Sequence, residues 1–220
     1  MYGQLLRAQW LALRLPVVLL AVLGFTLPLL TVTYGGGLEG GPAGRVAQWL
    51  FEAQQIGQLI PFFALLAGVL LGIGAWSADH AGKHVYASSL PLSRARYVWL
   101  RFAAGATLML IVVAALLVGA LVAVGSVRLP SGVHAYPGQL TVRFLVAAML
   151  CYAIFFAIAA STKRAALAVL GVIGGVVLAD VVLWGIGDST AQVTPTLFMW
   201  LTNWPGPLSI LIGRWALFDV

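Results

Sequence analysis

His80 and His84 have the i, i+4 spacing that places two imidazoles on one face of a helix. Such a pair binds zinc when further ligands lie close by. No third ligand is evident, because the chain has three histidines and its single cysteine, Cys151, lies in an apolar run. We therefore expect two exposed histidines and no metal site. A small metal-dependent membrane enzyme using this pair is kept as an alternative.

Motifs for nucleotide chemistry and hydrolysis are not found in the sequence. Gly82-Lys83 is followed by His84 and lacks the earlier glycine of the phosphate-binding loop G-x-x-x-x-G-K-[ST]. The patterns G-x-S-x-G and H-E-x-x-H do not occur either. We expect a chain that is not itself an enzyme and does not hydrolyse ATP alone.

Asp180 is the one ionisable residue well inside a long apolar run. A carboxylate in a membrane is costly and is by default a functional candidate. Arg143, at the start of the preceding run, is a plausible partner for it. Two interpretations stay open, a structural ion pair in the outer leaflet and a role in a substrate path.

Composition points to a bilayer as the solvent of this chain. Hydrophobic residues make up 62% of its 220 residues and charged residues 8%, against roughly 25% charged in soluble domains. This excludes a soluble enzyme, a disordered chain and a nucleic-acid-binding domain. The excess of basic residues, which gives a net charge of +6, then indicates segments on the cytoplasmic side of a membrane.

Charge-free runs predict the membrane spans. A spanning helix needs about 20 apolar residues. We place five spans near 15–33, 56–77, 99–125, 143–161 and 165–186, in an all-α, polytopic helical bundle with a cytoplasmic N-terminus. Val46, Trp49 and Ala53 indicate that the second span begins as an amphipathic outer helix. The whole chain, 1–220, forms one transmembrane domain.

Both ends of the chain carry special features. Residues 1–14 predict an interfacial amphipathic helix with a bend at Pro16; a continuous first span with a basic start is the alternative. A signal peptide is less favoured, because Thr31-Val-Thr-Tyr34 is not an A-x-A cleavage site. Residues 188–207 predict an outer re-entrant segment, followed over 208–220 by a short sixth span or a stub of one.

Lysine and arginine placement orients the chain. The side that holds the N-terminus carries eight basic residues, and the other side carries three. The eight are Arg7, Arg14, Lys83, Arg94, Arg96, Arg101, Lys163 and Arg164; the three are Arg45, Arg128 and Arg143. We expect a multi-pass protein of the cell inner (plasma) membrane.

Two G-x-x-x-G motifs suggest close helix packing. They are Gly68 with Gly72 and Gly171 with Gly175. Small residues at this spacing let two backbones approach each other within lipid. We expect at least one pair to lie at a helix–helix contact.

The loop over residues 78–97, between the second and third spans, is the most informative stretch. Residues 79–89 can form a short polar helix, supported by Asp79 and Lys83 at i, i+4. Pro91 ends it, and Ser93 is a suitable N-cap for the next span. Arg94, Arg96 and Arg101 would hold this end of the span at the anionic leaflet. An ordinary basic loop is the alternative.

The pattern Asp79-x-x-Gly82, then Leu90-Pro-Leu-Ser-Arg94-x-x-Tyr97 and Arg101, resembles the first cytoplasmic loop of ABC-2-type ABC transporter permeases. An entry helix, two spans, this loop, further spans and a broken outer segment also follow the family's order. The family normally ends with a full sixth span, and the sequence departs from it there.

The resemblance implies a permease subunit, an exporter, in which 79–89 is the coupling helix that docks on an ATP-binding subunit. It implies contacts there from Asp79, His80, Lys83, His84, Tyr86 and Arg94. The expected partners are ABC ATP-binding subunits, which bind the ATP and Mg, a second permease chain as homo- or heterodimer, and lipid. This chain is expected to hold no cofactor and no nucleic acid. A non-transporting assembly or sensor subunit is the further alternative.

Overall fold

The computed structural model describes most of the chain. Described are residues 2–33, 43–77, 79, 93–129 and 132–161, scattered positions within 167–182, residues 199, 206 and 209–211, and residues 215–219. The side chains of 43–48 are outside this description. Two compact units are present, one comprising residues 1–156 with 214–220 and the other residues 157–213.

The first unit is mostly helical. Its helices are α1 (Tyr2–Thr33), α2 (Ala43–Gly57), α3 (Leu59–Gly74), α4 (Arg94–Gly125) and α5 (Pro137–Ala160), the last turn of α5 belonging to the second unit. Two short strands, β1 (His134–Ala135) and β2 (Phe218–Asp219), pair antiparallel. The protein is therefore mostly helical, as expected, and it also contains this short ladder of two residue pairs.

Four helical stretches in the described residues are long and apolar enough to cross a membrane. They are Tyr2–Thr33, Trp49–Gly74, Arg94–Gly125 and Pro137–Ala160, and they correspond to the first four predicted spans. Their outward side chains are apolar: Leu15 is 67% exposed and Phe62 66% exposed. Such faces are costly in water.

The first helix differs from the expected division at Pro16, because residues 2–33 form one helix that includes Pro16 and Pro28. Along α1, however, the contacts with α4 do not all run in the same direction. Tyr2 Oη lies 2.7 Å from Thr107 Oγ1, and the Gln9 amide donates to the Arg101 carbonyl, so these contacts run against the direction of α4. Gly24 then packs near Val112 and Phe25 near Gly119, in the direction of α4.

Helix boundaries follow local chemistry. Ser93 caps α4 by accepting a hydrogen bond from the Arg96 amide at 3.4 Å, which confirms the predicted N-cap. Helix α5 begins at Pro137, earlier than predicted, and proline is favoured at a first helical position because its missing N–H has no partner to lose. Helices α2 and α3 are separated only by a turn at Gln58.

The remaining predictions fall partly outside the description. In the second unit, the described positions of the predicted fifth span are helical, but they are scattered over 167–182. Of the predicted re-entrant segment 188–207, only residues 199 and 206 are described. A helical last span is not what the described part of 208–220 shows: residues 209–211 form a 3-10 turn, residues 215–217 are irregular, and Phe218–Asp219 form β2.

Candidate functional site

The candidate site is a buried polar cluster where α3 ends and α4 begins. Helix α3 ends at Gly74, and Arg101, two turns into α4, donates from Nε to the carbonyl of Ala75 at 2.6 Å. A guanidinium group satisfies the free carbonyls of a helix end and also suits its partial negative charge. Arg101 thus caps α3 from the neighbouring helix.

Asp79 neutralises this arginine. Its Oδ2 lies 2.7 Å from Arg101 Nη1, and the two side chains are only 4% and 7% exposed. The hydroxyl of Tyr97 donates to Asp79 Oδ2 at 2.9 Å and is also contacted by Arg101 Nη1. Tyr97 and Arg101 can share Asp79 because the i, i+4 spacing places them on one face of α4.

Helix α1 closes the cluster from a third side. Gln9, 4% exposed, donates from Nε2 to the Arg101 carbonyl at 3.3 Å. Its Oε1 is buried, and no partner for it lies in the described part of the protein. A small cavity of about 80 Å³ adjoins it, lined by Leu5, Ala8, Gln9, Ala12, Gly74, Ala75, Ser77, Asp79 and Arg101. The cavity has room for ordered water that could satisfy Gln9.

Aromatic rings surround the charged groups. Arg101 lies over the ring of Trp76 at 5.2 Å and over that of Tyr97 at 5.5 Å. Trp76 in turn packs on Phe156 of α5, with ring centroids 5.2 Å apart. Rings that exclude water from an ion pair strengthen it electrostatically. The cluster therefore joins α1, α3, α4 and α5 at one end of the bundle.

Two of the six predicted coupling residues, Asp79 and Arg94, are among the described residues. Asp79 is described and buried, so in this structure it faces the bundle, and it pairs with Arg101. Arg94 is exposed at the start of α4. His80, Lys83, His84 and Tyr86 lie outside the described residues.

The structure corrects the role expected of Arg101, which was to hold the start of its span at the anionic lipid headgroups. It is 5% exposed and paired within the bundle, whereas Arg94 and Arg96 on the same helix are exposed. Sequence reasoning missed the pairing of Arg101 with Asp79 and the participation of Gln9 and Trp76. One sequence signal could have revealed the pair: Asp79 directly follows the second predicted span, and the oppositely charged Arg101 lies at the start of the third.

The expected pair of Asp180 and Arg143 lies outside the description, because Asp180 is not among the described residues. Arg143 is described, and its guanidinium carbon lies 4.5 Å from the centre of the Trp215 ring. The ring contact is not the sole interaction of Arg143, which has a further partner within the protein.

The two glycine motifs have different surroundings. A Cβ at Gly68 would lie 2.7 Å from the Tyr152 backbone nitrogen, and one at Gly72 would lie 2.9 Å from that of Phe156. Helices α3 and α5 therefore approach closely along this motif. Near Gly171 and Gly175, no heavy atom of the described chain lies within 4 Å of a Cβ position.

The metal site considered for His80 and His84 cannot be placed, since neither histidine is among the described residues. Within the described part of the chain, no group of three or more His, Cys, Asp or Glu side chains could hold a metal ion.

Comparison with known proteins gives no relative. No family model matches the chain, and no curated protein or solved structure resembles it closely enough to count as a match.

Proposed function

We propose that this chain is the permease subunit of an ATP-driven transporter of the ABC-2 type, an exporter of the plasma membrane. It forms the translocation path with a second permease chain, and separate ATP-binding subunits supply the energy. The observation that carries the proposal is the buried ion pair of Asp79 and Arg101 at the base of the segment that resembles a coupling helix.

A mechanical argument connects this pair to transport. The pair fixes the residue that begins the 79–89 segment to α4, and Arg101 also holds the end of α3 through the Ala75 carbonyl. Gln9 extends the connection to α1. A push on the segment by a bound ATPase is then transmitted to three helices together, because packed interiors transmit strain rather than absorb it.

The proposal gives Asp79 a different role from the partner contact that the resemblance implies. An aspartate that is 4% exposed is suited to anchoring the segment and not to touching a soluble partner. In the proposal, Asp79 positions the segment. His80, Lys83, His84, Tyr86 and Arg94 supply the contacts with the ATP-binding subunit.

Co-purification tests the partner. The chain is extracted in mild detergent, and the bound proteins are identified. The proposal expects an ATP-binding subunit in the complex, and its loss when residues 80–88 are replaced by a Gly-Ser linker of equal length with Asp79 retained. A control Gly-Ser replacement of residues 36–40, in the connection between the first and second predicted spans, should leave the complex intact.

Coupling is the second measurement. In proteoliposomes containing the ATPase, the 80–88 linker variant should lose transport-coupled ATP hydrolysis and still insert in the membrane. Full coupling in that variant, or a purified complex without any ATP-binding subunit, would contradict the proposal.

A further inference from the structure

One exposed stripe of α1 combines basic and apolar side chains. The sequence places them at i, i+4, i+7, i+11 and i+15, the spacing of a single helix face; they are Arg7, Leu11, Arg14, Val18 and Val22, here called the α1 stripe. All five are exposed, Leu11 by 58% and Val22 by 55%. The same face of the helix therefore carries two guanidinium groups and, directly after them, the apolar side chains of a predicted membrane span.

Contacts with α4 place the start of α1 beside that helix. The Tyr2 hydroxyl reaches the Thr107 side chain, and the Gln9 amide reaches the Arg101 carbonyl. Arg101 and Thr107 lie about 10 and about 20 Å into α4, which begins at residue 94, at a rise of about 1.5 Å per residue. Arg7 lies between Tyr2 and Gln9 in the chain, so its backbone lies next to the membrane-length part of α4 and not beyond the end of that helix.

The length of the following apolar run places Arg14 at a membrane surface. Residues 15–33 carry no charge and extend for about 28 Å as a helix, close to the roughly 30 Å of hydrocarbon that a span crosses. Trp10, 37% exposed between the two arginines, belongs to a residue type that is enriched at the level of the lipid headgroups. Arg7 and Arg14 therefore face the headgroup layer, where long basic side chains extend toward the polar interface.

Acidic side chains do not offset the two arginines within the described part of the chain. Helices α1 and α4 contain no aspartate or glutamate. Asp79 lies at the same end of the bundle, but it is buried and paired with Arg101. Neither Arg7 nor Arg14 forms an ion pair with a described residue. A counter-charge for the α1 stripe is therefore expected from another molecule.

We propose that the α1 stripe binds an anionic phospholipid. Arg7 and Arg14, two turns apart, bind its headgroup, because guanidinium groups form bidentate, charge-assisted hydrogen bonds with phosphate oxygens. Leu11, Val18 and Val22 contact its acyl chains. An acidic soluble protein fits this surface less well, since it would have to cover the apolar residues that continue into the membrane span. The site goes beyond the proposed transport function and is independent of it, because it needs only the membrane.

Native mass spectrometry of the purified chain in a nonionic detergent measures this binding. The probes are dioctanoyl phosphatidylglycerol, which is anionic, and dioctanoyl phosphatidylcholine, which is zwitterionic. We expect the anionic lipid to bind at least about tenfold more tightly, because each basic side chain near a headgroup contributes enough for about a fivefold difference in affinity. Glycerol 3-phosphate should not displace the lipid, since it lacks the acyl chains that the apolar part of the stripe contacts.

Charge removal locates the binding on the stripe. Arg7→Gln and Arg14→Gln should each weaken phosphatidylglycerol binding about fivefold and leave phosphatidylcholine binding unchanged. Arg128→Gln is the matched control, because Arg128 is an exposed arginine beyond the other end of α4; it should leave both affinities unchanged. Arg7→Lys, which keeps the charge but not the planar fork of donors, should give an intermediate loss.

Three results would overturn the lipid site. They are equal affinity for the two lipids, equal weakening by Arg7→Gln and Arg128→Gln, and displacement of the lipid by glycerol 3-phosphate. If the double variant of Arg7→Gln and Arg14→Gln keeps its lipid affinity but loses a co-purifying protein, the stripe is a protein contact and the proposal is wrong. Helical circular dichroism in the same detergent shows that each variant is folded.

Discussion

At the residue scale, Arg101 is held by several groups at once. It donates to the Ala75 carbonyl, pairs with Asp79 and lies over Trp76. Desolvation offsets much of the attraction in a buried pair, so its net contribution to stability is small. Its geometric effect is different: the ion pair and the Arg101–Ala75 hydrogen bond join the end of α3 to the first turns of α4.

Removing one member of the pair should be costly. Arg101→Gln leaves Asp79 buried without its counter-charge, which we expect to lower the free energy of unfolding by about 3–5 kcal/mol. Arg96→Gln, on the same helix but exposed, should change it by less than about 0.5 kcal/mol. Thermal unfolding in detergent, followed by helical circular dichroism, measures both.

A compensated variant separates charge from packing. Asp79→Leu combined with Arg101→Met removes both charges and should recover most of the lost stability. Equal destabilisation by Arg96→Gln and Arg101→Gln would contradict the buried pairing.

At the element scale, the helix ends depart from the predicted spans for local reasons. Ser93 and Pro137 begin α4 and α5 before the apolar runs start, because caps and proline act on the backbone rather than on hydropathy. The amphipathic helix predicted ahead of the second span is present as α2, with Trp49 and Ala53 buried. Hydropathy alone could not show that a turn at Gln58 divides this stretch.

Close packing of α3 on α5 predicts a sharp difference between equivalent glycine variants. Gly68→Ala places a methyl group 2.7 Å from the Tyr152 nitrogen and should cost about 1–3 kcal/mol of stability. Gly171→Ala meets no described atom within 4 Å and should be neutral or stabilising by up to about 1 kcal/mol through helix propensity.

The measurement is again thermal unfolding followed by helical circular dichroism. Equal effects of the two substitutions would contradict the close contact at Gly68 in the first unit.

At the scale of the whole molecule, the four membrane-length stretches of the first unit alternate in direction. The Asp79 cluster marks the end where α3 finishes and α4 starts, and residues 215–219 mark the end where α3 and α5 start. The predicted excess of arginine and lysine on the first of these ends gives the expected orientation in a bilayer. Exposed leucine, valine and phenylalanine on the helix faces would then contact lipid.

Cysteine labelling tests this orientation. In a Cys151→Ala background, Arg96→Cys and Ser126→Cys lie at the two exposed ends of α4. We expect an impermeant maleimide to label the Ser126→Cys variant from outside the cell and the Arg96→Cys variant only after permeabilisation. Labelling of both variants from one side would show that α4 does not cross the membrane.

The sequence by itself determined the helical class, the first four apolar helices and the cap at Ser93. Those features depend on composition, on run length and on residues close together in the chain. It also singled out Gly68 with Gly72 as a candidate contact and Asp79 as a residue of interest.

Only the tertiary structure decided which partners these residues have. Asp79 pairs with Arg101 across a whole loop, Gln9 joins them from α1, and residues 218–219 pair with β1 as a strand rather than continuing a helix. Such pairings depend on which helix faces meet. That choice minimises the free energy of the assembled bundle, so no local stretch of sequence contains it.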